Sequence, residues 1–372
     1  MVTMQDVAAA AGVSLSTVSY AINQNRPISD ATRSRVLEAM SRLGYTRNAA
    51  ARTLAGRRSH VLALILPPSP EGFGATIWQF VEAAATRAES HGYSLVIWPF
   101  ARQDAAKVQR LVSQRLADGV LVMEIFLEDA RVEALSAAKV PFTMIGRTSQ
   151  LTGRSWVDID FDAAIDTALE RLAALGHRHI ALLNHSAASV DAGYGAAIRT
   201  RDAFVAQAAR RGLIAHHLPC AETALAGRQA VGQLWGLDPA ITAVVTLNET
   251  ATIGLMAELA RRGWQVPGDV SILGLATSPA ITSMSLPALA ALQAPGAALG
   301  GAAIDQLVSV IDQGPEVTSS DADNRPDRSR LLPCSFISGD SLGPASLASA
   351  KPSARSTTDQ PTTTPKERKS TP

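Results

Sequence analysis

Short apolar runs alternate with longer segments of helical periodicity from Val61 to Leu275, and this alternation restricts the fold more than any other feature. The run VLALILP at 61–67 is continuously apolar, as expected of a strand that is buried on both faces. Strands of this kind separated by helices form parallel sheets covered by helices. The sequence therefore predicts an α/β core.

The alternation divides into two sets. Strands are predicted at 61–67, 94–98, 119–123 and 142–145, then from Trp156 onward at 157–159, 180–183, 214–218, 243–246 and 271–275. Helices are predicted between them at 76–91, 105–116, 129–138, 163–175, 195–211, 224–234 and 250–262. The pattern predicts two doubly wound parallel-sheet subdomains, the second beginning near Trp156. Such sheets bind ligands beyond the carboxyl ends of their strands, so we expect a small-molecule cleft between them.

A different pattern precedes this core. Thr3 can cap a helix through Ala11, Gly12 permits a sharp turn, and Ser14 can cap a second helix over 15–23. Ser29 can cap a third helix over 30–43 that ends at Gly44. Helix, glycine turn and helix form the arrangement that reads DNA. The second helix carries a polar stripe on one side: Ser16, Ser19, Tyr20 and Asn23.

Charge separates this head from the rest of the chain. Up to Arg58 there are eight arginines and three acidic residues, a net charge of +5, whereas the whole chain carries only +1. A basic excess favours a nucleic-acid partner, although small amphipathic three-helix domains also occur without one.

The residues themselves are more specific. The segment TMQDVAAAAGVSLSTVSYAIN at 3–23 and the segment GYTRNAAARTLAGR at 44–57 resemble the head and hinge of LacI/GalR-type transcriptional regulators. PFTMIGR at 141–147, LGHRHIALL at 175–183 and VPGDVSILG at 266–274 are similar to core motifs of that family. The resemblance covers about residues 3–344. It implies a head of the helix-turn-helix type and a core of the periplasmic-binding-protein type.

The resemblance implies how the head binds DNA. Leu15, Ser16 and Tyr20 would face base edges, while Thr17, Ser19 and Asn23 would hold phosphates or sugar. Thr3, Asn48, Ala51 and Leu54 complete the predicted DNA-binding set. Leu54 stands where the family inserts a leucine between base pairs, and such a wedge kinks the duplex. Tyr20 stands where many members have arginine, so it cannot form the bidentate pair with guanine.

The resemblance also implies an effector site. The candidate residues are Arg147, Asp160, Phe161, Arg199, Arg201, Asn248 and Glu249, and Glu124 is a further candidate because it lies close to the end of the strand predicted at 119–123. Asn248 and Glu249 stand where the family often has an Asn-Asp pair, and the family's arginine corresponds to either Arg199 or Arg201. A guanidinium fork can hold two neighbouring hydroxyls, and Phe161 or Trp98 could stack on a sugar face. The alternative for either arginine is a surface ion pair, and the alternative for the aromatic residues is packing in the core.

These predictions define a domain plan. We expect a head at 1–46, a hinge at 47–58, a core at 59–344 and a disordered Ser/Thr/Pro-rich tail at 345–372, with a loop at 314–330. The expected protein is a homodimeric repressor that binds a palindromic operator and responds to a small molecule, by resemblance a sugar.

Other classes of protein are disfavoured. GFGATI at 72–77 lacks the third glycine of a dinucleotide-binding motif, so we expect no cofactor. His177, His179, His216 and His217 have no carboxylate or cysteine partner at a recognisable metal spacing, and no catalytic triad is evident, so we expect neither a metal nor an enzyme. Two cysteines and no signal or membrane segment predict a cytoplasmic protein. A solute-binding protein without a regulatory role is the alternative.

Overall fold

The computed structural model describes residues 2–23, 26–45, 58–68, 74–100, 104–114, 116–313 and 329–346. These residues fall into two compact units, one within Met1–Ser59 and the other within His60–Pro372.

The first unit is a three-helix head with α1 (Met4–Ala11), α2 (Leu15–Asn23) and α3 (Asp30–Leu43). Gly12 has a φ of 63° and Gly44 a φ of 62°, so each ends its helix in the left-handed conformation. Each helix contributes a fully buried valine to a shared apolar cluster: Val7, Val18 and Val36. The three predicted helices and their turns are confirmed.

Two six-stranded sheets form the core of the second unit. Across the first sheet the strands are β11 (Ser329–Leu332), β5 (Trp156–Ile159), β4 (Phe142–Ile145), β3 (Gly119–Val122), β1 (Val61–Leu66) and β2 (Ser94–Pro99), all parallel. Together with α4 (Ala75–Ser90), α5 (Ala105–Ser113), α6 (Ala130–Ala137) and α13 (Gly296–Gln313) they form the first subdomain.

Across the second sheet the strands are β12 (Ser335–Ile337), β10 (Ala290–Gln293), β9 (Ser271–Thr277), β8 (Ala243–Thr246), β6 (His179–Asn184) and β7 (Ile214–Pro219). Only β12 runs antiparallel to its neighbour. The second subdomain adds α7 (Phe161–Ala174), α8 (Ala187–Asp191), α9 (Gly195–Arg210), α10 (Ala224–Leu237), α11 (Glu249–Arg261) and α12 (Pro279–Met284).

The predicted boundary between the two sets is wrong at β5. This strand pairs with β4 and β11 and therefore belongs to the first sheet, although the sequence pattern assigns it to the second. Apolar alternation identifies a buried strand but not the sheet that buries it. After β5 the chain crosses to the second subdomain, returns in α13, and crosses again between β11 and β12.

The last part of the core was incompletely predicted. The sequence pattern gave no elements for α8, α12, β10 or α13, and β11 begins at Ser329, inside the predicted 314–330 loop. The backbone N–H of Ala345 donates to the carbonyl of Leu175 at 2.8 Å, so the described chain extends just past residue 344. Most of the predicted hinge and tail lies outside the described residues. Within the described part of the chain, no helix is both long and apolar enough to cross a membrane.

Candidate functional sites

The second helix of the head presents the side chains that were predicted to read DNA. Leu15 in the first turn is 47% exposed and Ser16 is exposed, while Val18, roughly opposite Ser16 on the helix, is fully buried. Ser14 begins the helix by accepting a hydrogen bond from the backbone of Thr17 at 3.1 Å. One side of α2 is thus fixed in the core and the other is open to a partner.

The other predicted DNA-binding residues of the second helix are also described by the structure. Thr17, Ser19 and Tyr20 are partly exposed, and Asn23 is the last residue of α2. The guanidinium carbon of Arg26 lies 5.5 Å from the centre of the Tyr20 ring, within range of a cation–π interaction.

Thr3 has a local structural role. Its hydroxyl accepts from the backbone of Asp6 at 3.3 Å, and its own backbone N–H donates to the Asp6 carboxylate at 2.8 Å. This capping box lowers the pKa of Asp6 through the hydrogen bonds from Thr3. The remaining predicted DNA-binding residues, Asn48, Ala51 and Leu54, lie outside the described residues.

A cavity of about 380 Å³ lies between the two subdomains of the core. Its walls come from the carboxyl ends of strands in both sheets, as expected for this fold. Apolar side chains form much of the lining, and several ionisable groups converge on it: Glu124, Asp158, His185, Arg199, Glu222 and Glu249. An apolar pocket on which a small number of polar groups converge is typical of a small-molecule site.

Arg199 connects the two subdomains at the floor of this cavity. From α9 it forms an ion pair with Asp158 of β5 at 3.0 Å, and it donates to the carbonyl of Arg147 at 3.0 Å. Burial lowers the pKa of Arg199, although a guanidinium remains charged at neutral pH. Its buried Nε has no hydrogen-bond partner in the described part of the chain. Gly195 makes room for this arrangement, since a Cβ there would lie 2.7 Å from the guanidinium.

Glu124 approaches the cavity from the end of β3. Its backbone has a φ of 54°, a conformation that non-glycine residues adopt rarely and that is often found at functional sites. Its carboxylate accepts a hydrogen bond at 3.0 Å from the hydroxyl of Tyr194, which belongs to the second subdomain. Burial raises the pKa of Glu124, opposed by the nearby His185. Burial also raises the pKa of Tyr194 well above its ordinary value, which keeps the hydroxyl protonated as a donor.

A third polar bridge crosses the cavity at Glu249. The hydroxyl of Thr76 in α4 donates to its carboxylate at 2.6 Å. From the second subdomain, the hydroxyl of Thr277 and the backbone of Ser278 donate to the same oxygen, each at 2.9 Å. The carboxylate therefore joins donors from both sides of the cleft.

The structure adds residues that the sequence pattern did not indicate. His185 donates from Nδ1 to Glu222 at 3.1 Å, and the backbone of Ser186 donates to the same carboxylate at 3.0 Å. Burial opposes ionisation of Glu222, but these hydrogen bonds lower its pKa to about 2. Tyr194 packs edge-on against His185, with 5.0 Å between the ring centres. The carboxyl-end positions of β6 and β7 are the only sequence signal that could have suggested His185 and Glu222.

The predicted effector residues divide into two groups. Glu124, Phe161, Arg199, Asn248 and Glu249 line the cavity. Asn248 is also the N-cap of α11, and its amide donates to the carbonyl of Cys220 at 3.0 Å, so its side chain has structural partners.

The other predicted residues do not line the cavity. Arg147 lies behind it, with its Nε donating to Asp158 at 3.1 Å. Asp160 is the N-cap of α7, and Arg201 forms an ion pair with the adjacent Asp202. The structure thus distinguishes Arg199 from Arg201, which the sequence could not. Trp98 packs in the apolar cluster of the first subdomain instead of lining the cavity.

The structure gives two of the four histidines a carboxylate partner, although the sequence has none at a recognisable metal spacing. Asp238 lies 2.6 Å from His179 Nδ1 and 2.8 Å from His216 Nε2. Spacing in the sequence did not indicate this cluster, because its members come from two strands and the end of a helix. His177 instead lies against Thr242 and Ser271, and His217 against Asn184.

Comparisons with known proteins agree with this architecture. Residues 3–48 match the model of the family "Bacterial regulatory proteins, lacI family", and residues 169–342 match that of the "Periplasmic binding protein-like domain". The lactose operon repressor of Escherichia coli (strain K12) is 29% identical over 345 residues, covering 90% of this chain and 89% of that protein. Catabolite control protein A of Priestia megaterium is 27% identical over 328 residues, covering 84% of this chain and 93% of that protein.

A solved structure extends the similarity to three dimensions. The crystal structure of the lac repressor dimer bound to operator and the anti-inducer ONPF has a TM-score of 0.76 at 27% identity, covering 91% of this chain and 98% of that chain. A helix-turn-helix head followed by a two-subdomain core with an internal cleft defines a DNA-binding transcription regulator. The chain belongs to the LacI family of bacterial regulatory proteins.

Proposed function

We propose that this regulator is a dimeric repressor controlled by a neutral sugar or sugar derivative bound in the cavity between its core subdomains. The observation that carries the proposal is the cavity itself, which is crossed by three polar bridges: Thr76–Glu249, Tyr194–Glu124 and Arg199–Asp158. A ligand that contacts both walls must favour one relative arrangement of the subdomains over others.

The chemistry of the lining supports a polyhydroxylated ligand. Phe161 and other apolar groups can cover a sugar face, while carboxylates and Arg199 offer acceptors and donors to hydroxyls. The lining has more carboxyl groups than basic side chains: Glu124, Asp158, Glu222 and Glu249 against Arg199 and His185. The cavity therefore disfavours an anionic ligand such as a sugar phosphate. Its volume of about 380 Å³ is near the lower end for ligand pockets, which favours a small molecule.

In the head, we propose that Leu15, Ser16 and Tyr20 contact base edges in the major groove. Leu15 and Ser16 are exposed and Tyr20 is partly exposed, and Ser16 and Tyr20 lie on the side of α2 away from the buried Val18, which supports this role. Thr17, Ser19 and Asn23 would contact the backbone of the DNA. Asn48, Ala51 and Leu54 enter the proposal through the sequence alone, as a hinge that folds and inserts into the minor groove when two heads dock on a palindrome.

Control of DNA binding then follows from linkage. If the effector binds one arrangement of the subdomains more tightly, it shifts the population toward that arrangement and changes the placement of the two heads. This is binding chemistry, and we propose that the protein is not an enzyme. Because its DNA partner lies in the bacterial cytoplasm, we propose that it acts there.

The test begins with selection of bound duplexes from a random pool by the full chain. The selected duplex is then titrated in the presence of a panel of neutral sugars and the corresponding sugar phosphates. We expect a palindromic site whose affinity is changed by one or a few neutral sugars. Failure of all sugars to alter binding, or a response only to sugar phosphates, would reject the proposed ligand class.

Two matched variants locate the response. Arg199→Lys keeps the charge opposite Asp158 but loses the guanidinium fork, which lysine cannot replace. Arg201→Lys makes the same chemical change outside the cavity. We expect loss of the sugar response in the first variant only, and an equal loss in both would contradict the assigned site.

A further inference from the structure

A cluster of two histidines and one aspartate lies in the second subdomain, away from the cavity. His179 is the first residue of β6, and the cavity lies beyond the last residue of the same strand, roughly 16 Å away at the usual rise per residue. The ligand atoms of His179, His216 and Asp238 all lie within 4.8 Å of one another. We propose that these three residues form a binding site for a divalent metal ion such as Zn²⁺.

The sheet places both imidazoles on the same face. In the parallel register of β6 and β7, His179 pairs with Ile214, and His216 lies two residues further along β7. Because side chains alternate between faces, the two histidines project from the same face. α10 packs against β7, and Asp238 at its carboxyl end meets both rings.

The aspartate is already oriented for ligation. Its Oδ1 accepts a hydrogen bond from the backbone of Ala240 at 2.8 Å, while Oδ2 faces His179 and His216. A carboxylate fixed through its second oxygen is typical of metal ligands with an outer hydrogen-bond shell.

Binding requires only small rearrangements. Zinc ligands lie about 2.0–2.2 Å from the ion, which places ligand atoms roughly 3.3 Å apart in a tetrahedral site. The present separations of 2.6 and 2.8 Å must therefore open by about half an ångström. The side chains of His179, His216 and Asp238 are 31%, 22% and 17% exposed, so the ion has access and a water molecule can fill the fourth position.

The protons can also be accommodated. Since an ionised aspartate only accepts hydrogen bonds, His179 Nδ1 and His216 Nε2 carry the protons that face it. Metal binding moves each proton to the other ring nitrogen. In the described part of the chain, His179 Nε2 and His216 Nδ1 have no protein partner, so this change of tautomer breaks no further hydrogen bond.

The experiment uses the full chain freed of metal by a chelator and then titrated with Zn²⁺ against a chromogenic competitor. Cobalt is used in parallel, because a bound Co²⁺ ion shifts the proton signals of its imidazole ligands in nuclear magnetic resonance spectra. We expect one ion per chain and two shifted imidazoles. His216→Asn and Asp238→Asn should each weaken Zn²⁺ binding by about tenfold or more.

His91→Asn is the matched control. His91 also lies 2.8 Å from a carboxylate, that of Asp305, but the second partner there is the cation of Arg87 instead of another histidine. This variant should bind Zn²⁺ as the natural chain does. Circular dichroism establishes that each variant is folded, and the cobalt experiment on the natural chain does not depend on any variant. The proposal would be overturned if the natural chain binds no Zn²⁺. It would also be overturned if His216→Asn still binds Zn²⁺ and His91→Asn does not.

Discussion

Replacement of Thr76 by valine tests whether the bridge to Glu249 holds the cleft closed. Valine keeps the shape of the side chain but removes the hydroxyl that donates to Glu249 at 2.6 Å. When the cleft opens, water replaces this hydrogen bond, so its loss affects the closed form alone. Glu249 keeps its bonds from Thr277 and Ser278 and is not left unpaired.

The magnitude follows from the charge of the acceptor. A hydrogen bond to a charged group contributes about 1.5–3 kcal/mol, so the closed form should lose that amount relative to the open form. For an effector that binds only the closed form, the apparent affinity should fall by up to about 10-fold to 100-fold. Titration calorimetry with the effector measures this fall, and small-angle X-ray scattering reports the open cleft as a larger radius of gyration.

Thr277→Val is the matched control for this prediction. Thr277 donates to the same oxygen of Glu249 at 2.9 Å but lies in the same subdomain, so its bond persists in the open form. Its loss should lower the free energy of unfolding and leave effector affinity and the radius of gyration unchanged. Equal effects of the two variants on effector affinity would refute the idea that Thr76 acts through closure.

Three further predictions concern the head, the packing of the core and its response to pH. Tyr20→Ala should weaken binding to the selected operator by about 1–3 kcal/mol in a mobility-shift titration, the usual cost of losing recognition of one base pair, and leave random duplex unaffected. Equal losses on both duplexes would assign Tyr20 to the phosphates. Gly254→Ala places a Cβ 1.9 Å from the carbonyl oxygen of Ala224, so urea unfolding should show a loss of about 3 kcal/mol or more. Gly236→Ala meets nothing within 4 Å and should gain up to about 1 kcal/mol, and similar results for both glycines would contradict the close helix packing. Hydrogen bonds from Arg261 and Arg262 lower the pKa of Glu258 from 4.5 to about 2. The ionised carboxylate therefore stabilises the fold at pH values above the pKa of the unfolded chain, and this contribution is lost as the pH falls toward 2. The urea midpoint of Glu258→Gln should therefore differ from that of the natural chain most at pH 7 and least near pH 2, and a constant difference would exclude this linkage.

Local signals predicted the elements well because they act within a few residues. Thr3, Ser14 and Ser29 cap their helices through their hydroxyls, and Gly12 and Gly44 end helices because glycine, without a Cβ, readily adopts the left-handed conformation. The sheet that a strand joins is a long-range property, which is why β5 was assigned to the wrong subdomain. Nothing within that strand distinguishes a neighbour at β4 from one at β6.

The candidate site shows the same division. The position of Glu124 after a buried strand suggested it, and the family resemblance at the end of another buried strand suggested Glu249; both line the cavity. Asp160 also follows a strand, but its carboxylate accepts a hydrogen bond from the backbone of Ala163 and caps a helix instead. Tyr194 had no signal in the sequence, and His185 had only its position after β6, because their roles depend on partners contributed by other elements.

The crossings between subdomains have a consequence for synthesis. The first subdomain begins with β1 but includes α13, and its sheet ends in β11, which follows almost the whole second subdomain in the chain. A nascent chain on the ribosome therefore displays an apolar sheet whose covering helix has not yet been translated. We expect the early intermediate to need protection by chaperones, and truncation before Gly296 to leave the first subdomain unable to fold.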